Sequence, residues 1–172
     1  MRITAVRGNI LQQSDCDGIV NSANEHLIAG GGVCGAIYKA AGPALEPYTQ
    51  KLAPLPLGEA IVSPGFNLDT KWIIHVRGPR YLQDPDPPKY LRLALWNALD
   101  AAEKAGVTRL AIPAISTGVF GYPVSDAATA LVDAAREFST RSQVLKEARF
   151  VLLEVVAYDA FSAALSNIKH NT

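Results

Sequence analysis

Short apolar runs alternate along this chain with longer segments of helical periodicity. Continuous apolar runs of four to eight residues are typical of strands buried on both faces of a sheet. Such runs predict strands at Arg2–Val6, Gly18–Ala23, Glu59–Pro64, Lys71–Val76, Leu110–Ile115 and Phe150–Tyr158.

Helical stripes lie between these runs. In Pro88–Ala105 apolar residues recur every three or four positions, and Gly106 follows as a stop signal. Similar stripes predict helices at Val124–Phe138, Asp159–Lys169, Cys34–Ala41 and Pro43–Lys51. Alternation of strands and helices favours an α/β fold, a three-layer α/β/α sandwich with helices on both faces of the sheet.

Composition narrows the class of protein. Of the 172 residues 49% are hydrophobic, and 16 basic residues balance 16 acidic ones. We therefore expect residues 1–172 to form a single domain, with no basic excess to indicate a dedicated nucleic-acid binder. No apolar run approaches the roughly eighteen residues of a membrane span, and the first residues lack a signal-peptide pattern, so we expect a cytoplasmic protein without a membrane partner.

Two cysteines, Cys16 and Cys34, make neither a disulfide framework nor a metal-ligand set. We expect no metal and no cofactor, and a monomer.

The most informative segment is residues 21–42, which read NSANEHLIAGGGVCGAIYKAAG. Residues 30–35 formally satisfy the dinucleotide fingerprint G-x-G-x-x-G, but six residues separate them from the preceding strand, and no strand ending in an acidic residue follows about twenty residues later. The segment also lacks the Gly-Lys-Ser/Thr of a P-loop. It is either a turn that serves packing or, as we favour, a loop that lets the backbone approach a phosphate at a helix N-terminus.

A second glycine-bearing loop, residues 116–123 (STGVFGYP), joins another predicted strand to another helix. Ligands of open α/β sheets bind beyond the carboxyl ends of the strands. Two such loops at one edge could hold opposite sides of a diphosphate.

Together these motifs make the chain resemble the macrodomain family, in particular its MacroD-type branch. The resemblance covers nearly the whole length through GNI at 8–10, IVNSAN at 19–24, GGGVCGAIYKAAG at 30–42, IIHVRGP at 73–79, IPAISTGVFGYP at 112–123 and VVAYD at 155–159. It implies a mixed, roughly six-stranded central sheet and a cleft that binds ADP-ribose.

At the adenine end of that cleft, the resemblance implies roles for Asn9, Ile10 and Tyr158. Asn9 stands where the family usually has an Asp that accepts from the adenine amino group; an Asn accepts without charge assistance. Its alternative is a turn residue. Ile10 would line the adenine pocket, and Tyr158 either stacks on adenine or is a core residue at the end of a strand.

Around the diphosphate and the distal ribose, the resemblance implies contacts from two loops. The ligand-binding residues expected there are Ala23, Gly30, Gly31, Gly32, Val33, Ser116, Thr117, Gly118, Val119 and Phe120. Phe120 would lie near the distal ribose, unless it is a buried packing residue.

Asn24 matches the asparagine that orients the distal ribose in the family; its alternative is a loop residue that caps local backbone. Asn21 is expected to hold the loop through hydrogen bonds. His75 lies inside an apolar run and is interpreted as a structural strand residue, and His26 matches no role in the family.

Cys34 departs from the MacroD pattern, in which an Asp that helps to position or activate water stands ten residues after the asparagine. A neutral thiol is a poor acceptor with an ordinary pKa near 8.5. A nucleophilic role is conceivable, although the sequence suggests no paired histidine. Alphavirus macrodomains look similar at this position, and that branch contains ADP-ribosyl hydrolases. Asn24 and Cys34 are therefore the predicted catalytic residues.

Three functions follow as hypotheses. The first is hydrolysis of mono-ADP-ribose from Asp or Glu side chains of proteins, with O-acetyl-ADP-ribose as a further substrate. The second is a non-enzymatic reader of ADP-ribose or ADP-ribosylated proteins. The third, which neutral charge disfavours, is binding of another nucleotide or of RNA.

Overall fold

The computed structural model of the protein describes residues 1–167. Its strands are β1 Arg2–Arg7, β2 Gly18–Ser22, β3 Ala60–Pro64, β4 Trp72–Val76, β5 Arg109–Ile112 and β6 Glu147–Leu152. Its helices are α1 Gly32–Ala41, α2 Leu45–Gln50, α3 Pro87–Ala105, α4 Val124–Ser139 and α5 Val155–Ser166, with a short 3₁₀ turn at Ile10–Gln12.

The six strands form one sheet in the order β1-β6-β5-β2-β4-β3. All neighbouring pairs are parallel except β3 with β4, so the sheet is mixed. The three-layer fold class predicted from the sequence is confirmed.

Each strand contributes to two cores because successive side chains point to opposite faces. In β2, Val20 packs with α3, α4 and α5 on one face, while Ile19 packs with α1 and the start of α2 on the other. In β4, Ile74 and Ile73 divide in the same way. The continuous apolar runs therefore have the cause that the sequence analysis assigned to them.

The last predicted strand is wrong in its second half. Strand β6 ends at Leu152, and the chain enters α5 at Val155 instead of continuing as a strand to Tyr158. A continuous apolar run does not by itself distinguish a buried strand from a helix. Here Val156 is 73% exposed while Phe161 and Ala164 are buried, which is a helical pattern.

Other boundaries differ by smaller amounts. Strand β5 ends before Pro113, because proline cannot donate to the ladder, and the predicted residues 113–115 belong to the following loop. Helix α1 begins at Gly32, two residues earlier than predicted. Residues 168 and 169 of the last predicted helix lie outside the described residues. Of the helices between residues 1 and 167, none is long and apolar enough to cross a membrane.

Candidate functional site

Four loops meet at one edge of the sheet and enclose a cleft of about 730 Å³. They follow β1, β2, β5 and β6, which are neighbouring parallel strands and therefore end at the same edge. Ligand pockets in proteins typically have volumes of roughly 300–1,000 Å³. The cleft is therefore large enough for a small-molecule ligand.

The cleft lies between two neighbouring strands whose following helices pack on opposite faces of the sheet. After β2 the chain enters α1 on one face of the sheet, and after the adjacent β5 it enters α4 on the opposite face. Such a point leaves a crevice beyond the carboxyl ends of the two strands, where open α/β sheets bind their ligands.

The structure brings together nearly all the predicted site residues. Those that line the cleft are Asn9, Ile10, Ala23, Asn24, Gly30, Gly31, Gly32, Val33, Cys34, Ser116, Thr117, Gly118, Val119 and Phe120. Which of them contact a ligand stays a prediction.

Tyr158 is the exception. It lies on α5 rather than at the end of a strand, and it packs partly buried against the main core. Ala157 and Glu154 line the cleft at this place, and Tyr158 does not. The alternative of a core residue is therefore the one that the geometry favours, although the residue belongs to a helix.

The loop between β2 and α1 presents backbone amides to the cleft. Gly31 is the N-cap of α1, so the amides of Gly32 and Val33 fall in the first turn, where no helical acceptor exists for them. Gly32 has φ of +56°, a conformation that side chains rarely adopt. The positive end of the helix dipole points the same way and favours an anion.

The loop between β5 and α4 faces the loop between β2 and α1 from across the cleft. Ser116 has φ of +68°, and its backbone carbonyl accepts from the amide of Tyr122 at 2.9 Å, which closes the loop. The amides of Gly118, Val119 and Phe120 donate to no acceptor within residues 1–167. The Ser116 hydroxyl is likewise buried without a partner in this part of the chain.

Positive electrostatic potential in the cleft comes from backbone amides rather than from basic side chains. No Lys or Arg lines it among the described residues, and Glu154 is the one carboxylate that does. An anion would therefore be held by oriented amides, which need no net charge on the protein.

Asn9 uses its side chain locally. Its carbonyl oxygen accepts from the amide of Leu11 at 2.9 Å and so caps the 3₁₀ turn. One lone pair of that oxygen and the whole amino group remain available to a ligand. The turn role and the ligand role are compatible.

Asn24 is tied to the backbone of Ile28 at both ends of its carboxamide. Its Nδ2 donates to the Ile28 carbonyl at 2.8 Å, and its Oδ1 accepts from the Ile28 amide at 3.2 Å. The local capping role is thus present. The second Nδ2 hydrogen and the second Oδ1 lone pair leave Asn24 able to contact a ligand as well.

Cys34 lies on α1, buried beside this loop. Its thiol donates to the Ile28 carbonyl at 3.6 Å, and the Nδ2 of Asn21 donates to the sulfur at 3.8 Å. Burial raises the pKa of Cys34, partly opposed by the Gly30 backbone and by Asn21. The thiol is therefore neutral near pH 7, which argues against a nucleophilic thiolate.

Asn21 links His75 to Cys34. Asn21 Nδ2 lies 3.0 Å from His75 Nδ1, and Ser63 Oγ lies 2.8 Å from His75 Nε2. Burial lowers the pKa of His75 to about 3, so the imidazole is neutral. The expected structural role of His75 fits this geometry, because an amide that cannot accept a proton separates the histidine from the thiol.

Comparison with known proteins agrees with the geometry. A sequence model of the Macro domain matches residues 20–131. The chain belongs to the macro domain family. A macro domain-containing protein of Streptomyces coelicolor is 39% identical over 169 residues, which cover 95% of this chain and 98% of that protein.

Solved macro domains share the fold closely. The Oceanobacillus iheyensis macrodomain with ADP has a TM-score of 0.88 at 35% identity, covering 94% of this chain and 88% of that one. The Trypanosoma brucei macrodomain in complex with ADP-ribose has a TM-score of 0.89 at 28% identity, covering 96% and 69%.

Sequence reasoning missed part of the lining of this macro domain. Val151, Leu153, Glu154 and Ala157 form the wall at the β6–α5 junction. The sequence does not identify them as lining residues, because the apolar run around them predicts one strand that continues to Tyr158. The link from Cys34 to His75 was also missed, since residues 13 and 41 positions apart in the chain carry no spacing signal.

Gly35 sets the distance between α1 and the loop that joins β2 to α1. A Cβ added there would overlap the Gly30 carbonyl oxygen, whereas one added at Gly31 would meet nothing within 4 Å. We expect Gly35→Ala to lower the free energy of unfolding by about 1–3 kcal/mol through overpacking. In an unhindered helix the same change would raise it by about 1 kcal/mol. Gly31→Ala is the matched control, and urea denaturation of both variants is the measurement; equal stability would contradict this packing.

The lowered pKa of His75 predicts a pH dependence of stability. Between about pH 6.5 and pH 3 the unfolded chain binds a proton at His75 and the folded protein does not, so stability falls as the pH falls. From pH 7 to pH 5 the loss is about 2 kcal/mol. Denaturation at both pH values should show a smaller loss in His75→Gln, and an equal loss would mean that His75 is not held neutral.

Proposed function

We propose that this macro domain binds ADP-ribose in the cleft and hydrolyses mono-ADP-ribose from Asp and Glu side chains of proteins. O-acetyl-ADP-ribose is a further candidate substrate. Water attacks at the distal ribose, which lies near Asn24, and the adenine lies towards Asn9.

One observation carries the binding proposal. The first-turn amides of α1 and the free amides of residues 118–120 converge on one cleft that no described Lys or Arg lines. Unpartnered amides on both sides fit a diphosphate, which accepts many hydrogen bonds and keeps its charge at neutral pH. The complexes of related macrodomains with ADP and ADP-ribose support the same ligand.

The chemistry of the leaving group supports an acid-linked substrate. Water supplies its oxygen to C1″ of the distal ribose, the bond from C1″ to the carboxyl oxygen breaks, and the side chain departs as a carboxylate. Free Asp and Glu have pKa values near 4, so this group needs no general acid. That suits a cleft in which Asn24 and the thiol of Cys34 are both neutral.

The rate of hydrolysis then depends mainly on how the ribose and the water are positioned. Asn24 is fixed by two bonds to Ile28, so it can orient the ribose without a loss of side-chain freedom on binding. The proton of the attacking water passes to the ligand's own phosphate, because Cys34 is neutral and Glu154, the one carboxylate that lines the cleft among residues 1–167, lies at the β6–α5 junction. The assignment to the MacroD-type branch rests on the sequence motifs and belongs to this proposal.

A second function is favoured by the same thiol. Because Cys34 is neutral and a weak acceptor, the domain could bind ADP-ribose without turnover and act as a reader of modified proteins. Binding with no release of ADP-ribose would establish that function.

The hydrolase proposal predicts release of labelled ADP-ribose from an acid-linked mono-ADP-ribosylated protein. Asn24→Ala should lower kcat/KM by about tenfold or more, because the variant loses a ribose contact and loosens the Ile28 loop. Calorimetry with ADP-ribose on both proteins separates weaker binding from slower chemistry. Release by the wild type no faster than by Asn24→Ala would leave only the reader.

Cys34→Asp tests how water is activated. A carboxylate at this position can accept from Asn21, and as a base it should raise kcat by about tenfold or more. It cannot donate to the Ile28 carbonyl, so ADP-ribose affinity should fall. Cys34→Asn, which has the same shape without the charge, is the control. Unchanged or slower turnover in Cys34→Asp would show that this cleft arranges water in its own way.

A further inference from the structure

We propose that Asn21 is a positioning residue for the ligand site, because it aims the Cys34 thiol at the Ile28 carbonyl and so fixes the loop that carries Asn24. The proposal rests on the proposed function for its effect on ADP-ribose, but the hydrogen bonds themselves can be tested without a ligand. We call Ser63, His75, Asn21, Cys34 and the Ile28 carbonyl the relay.

The direction of the relay follows from its donors. Ser63 Oγ donates to the Pro64 carbonyl at 3.2 Å, so its oxygen accepts from His75 Nε2. His75 therefore carries its hydrogen on Nε2 and accepts at Nδ1 from Asn21 Nδ2. The second hydrogen of Asn21 Nδ2 is left for the sulfur of Cys34.

The sulfur of Cys34 connects these hydrogen bonds to the loop that contains Ile28. With Asn21 donating to its lone pair, the thiol hydrogen of Cys34 is free to point at the Ile28 carbonyl. That carbonyl also accepts from Asn24, so its two lone pairs serve the two predicted catalytic residues. The backbone at Ile28, four residues after Asn24, is thus held by Cys34 of α1.

The unpartnered Oδ1 of Asn21 supports a positioning role for this side chain. Its Oδ1 is fully buried and has no hydrogen-bond partner in the described part of the chain. An unsatisfied buried acceptor is unfavourable, and an apolar residue at this strand position would avoid it. The two bonds that Nδ2 donates are the contacts that the side chain provides in return.

The relay predicts different effects of two substitutions at Cys34. A serine hydroxyl can donate to Ile28 and accept from Asn21, whereas an alanine can do neither. Cys34→Ala should weaken ADP-ribose binding about three- to tenfold, and Cys34→Ser should keep most of the affinity. Calorimetry gives the affinities, and thermal unfolding shows that both variants are folded.

A double-mutant cycle assigns the effect to Asn21. Asn21→Ala should weaken ADP-ribose binding in the wild type but add little in the Cys34→Ala background, because the same contact is already lost. Full multiplication of the two losses, or equal affinity of Cys34→Ala and Cys34→Ser, would overturn the relay.

A spectroscopic measurement decides the case without ligand. The infrared S–H stretch of Cys34, isolated by subtraction of the Cys34→Ala spectrum so that Cys16 does not contribute, should shift when Asn21→Ala is introduced. A band at the same frequency in both proteins would overturn the relay. If the wild type binds no ADP-ribose, the proposed function fails while this band still decides the relay.

Discussion

The hydrogen bonds that hold residues 24–30 determine the shape of the cleft. Asn24 and Cys34 both donate to the Ile28 carbonyl, and the hydroxyls of Tyr38 and Thr49 both donate to the carbonyl of Leu27. Leu27 is fully buried with φ of +54°, a strained conformation for a residue with a side chain. Helices α1 and α2 therefore compensate for local strain, and the loop is held by contacts within the protein.

This organisation explains why a cleft that no described Lys or Arg lines can still suit an anion. Free amides from α1 and from residues 118–120 supply the positive potential, while burial keeps Cys34 and His75 uncharged. A preorganised amide cradle loses little freedom on binding. Affinity for ADP-ribose and the rate of hydrolysis consequently depend on different properties of Cys34: its hydrogen bond to the Ile28 carbonyl supports binding, and its neutral thiol limits the activation of water.

Much of this arrangement could be predicted from the sequence. The alternation of Ile19 with Val20 and of Ile73 with Ile74 indicates a sheet covered on both faces, and the two glycine-bearing loops indicate its ligand edge. The β6–α5 junction could not be predicted, because helix and strand share the same apolar run there. Nor could the contact of Asn21 with His75, which depends on the parallel register of β2 and β4.

Amide hydrogen exchange of residues 24–35, measured with and without ADP-ribose, tests most directly whether the loop is built in advance. We expect the Ile28 and Leu27 amides, which donate to Asn24, to be protected already in the free protein and to gain little from the ligand. Protection of the first-turn amides of α1 should appear only with ADP-ribose. Unprotected Leu27 and Ile28 amides in the free protein, with protection only in the complex, would contradict a preformed cleft.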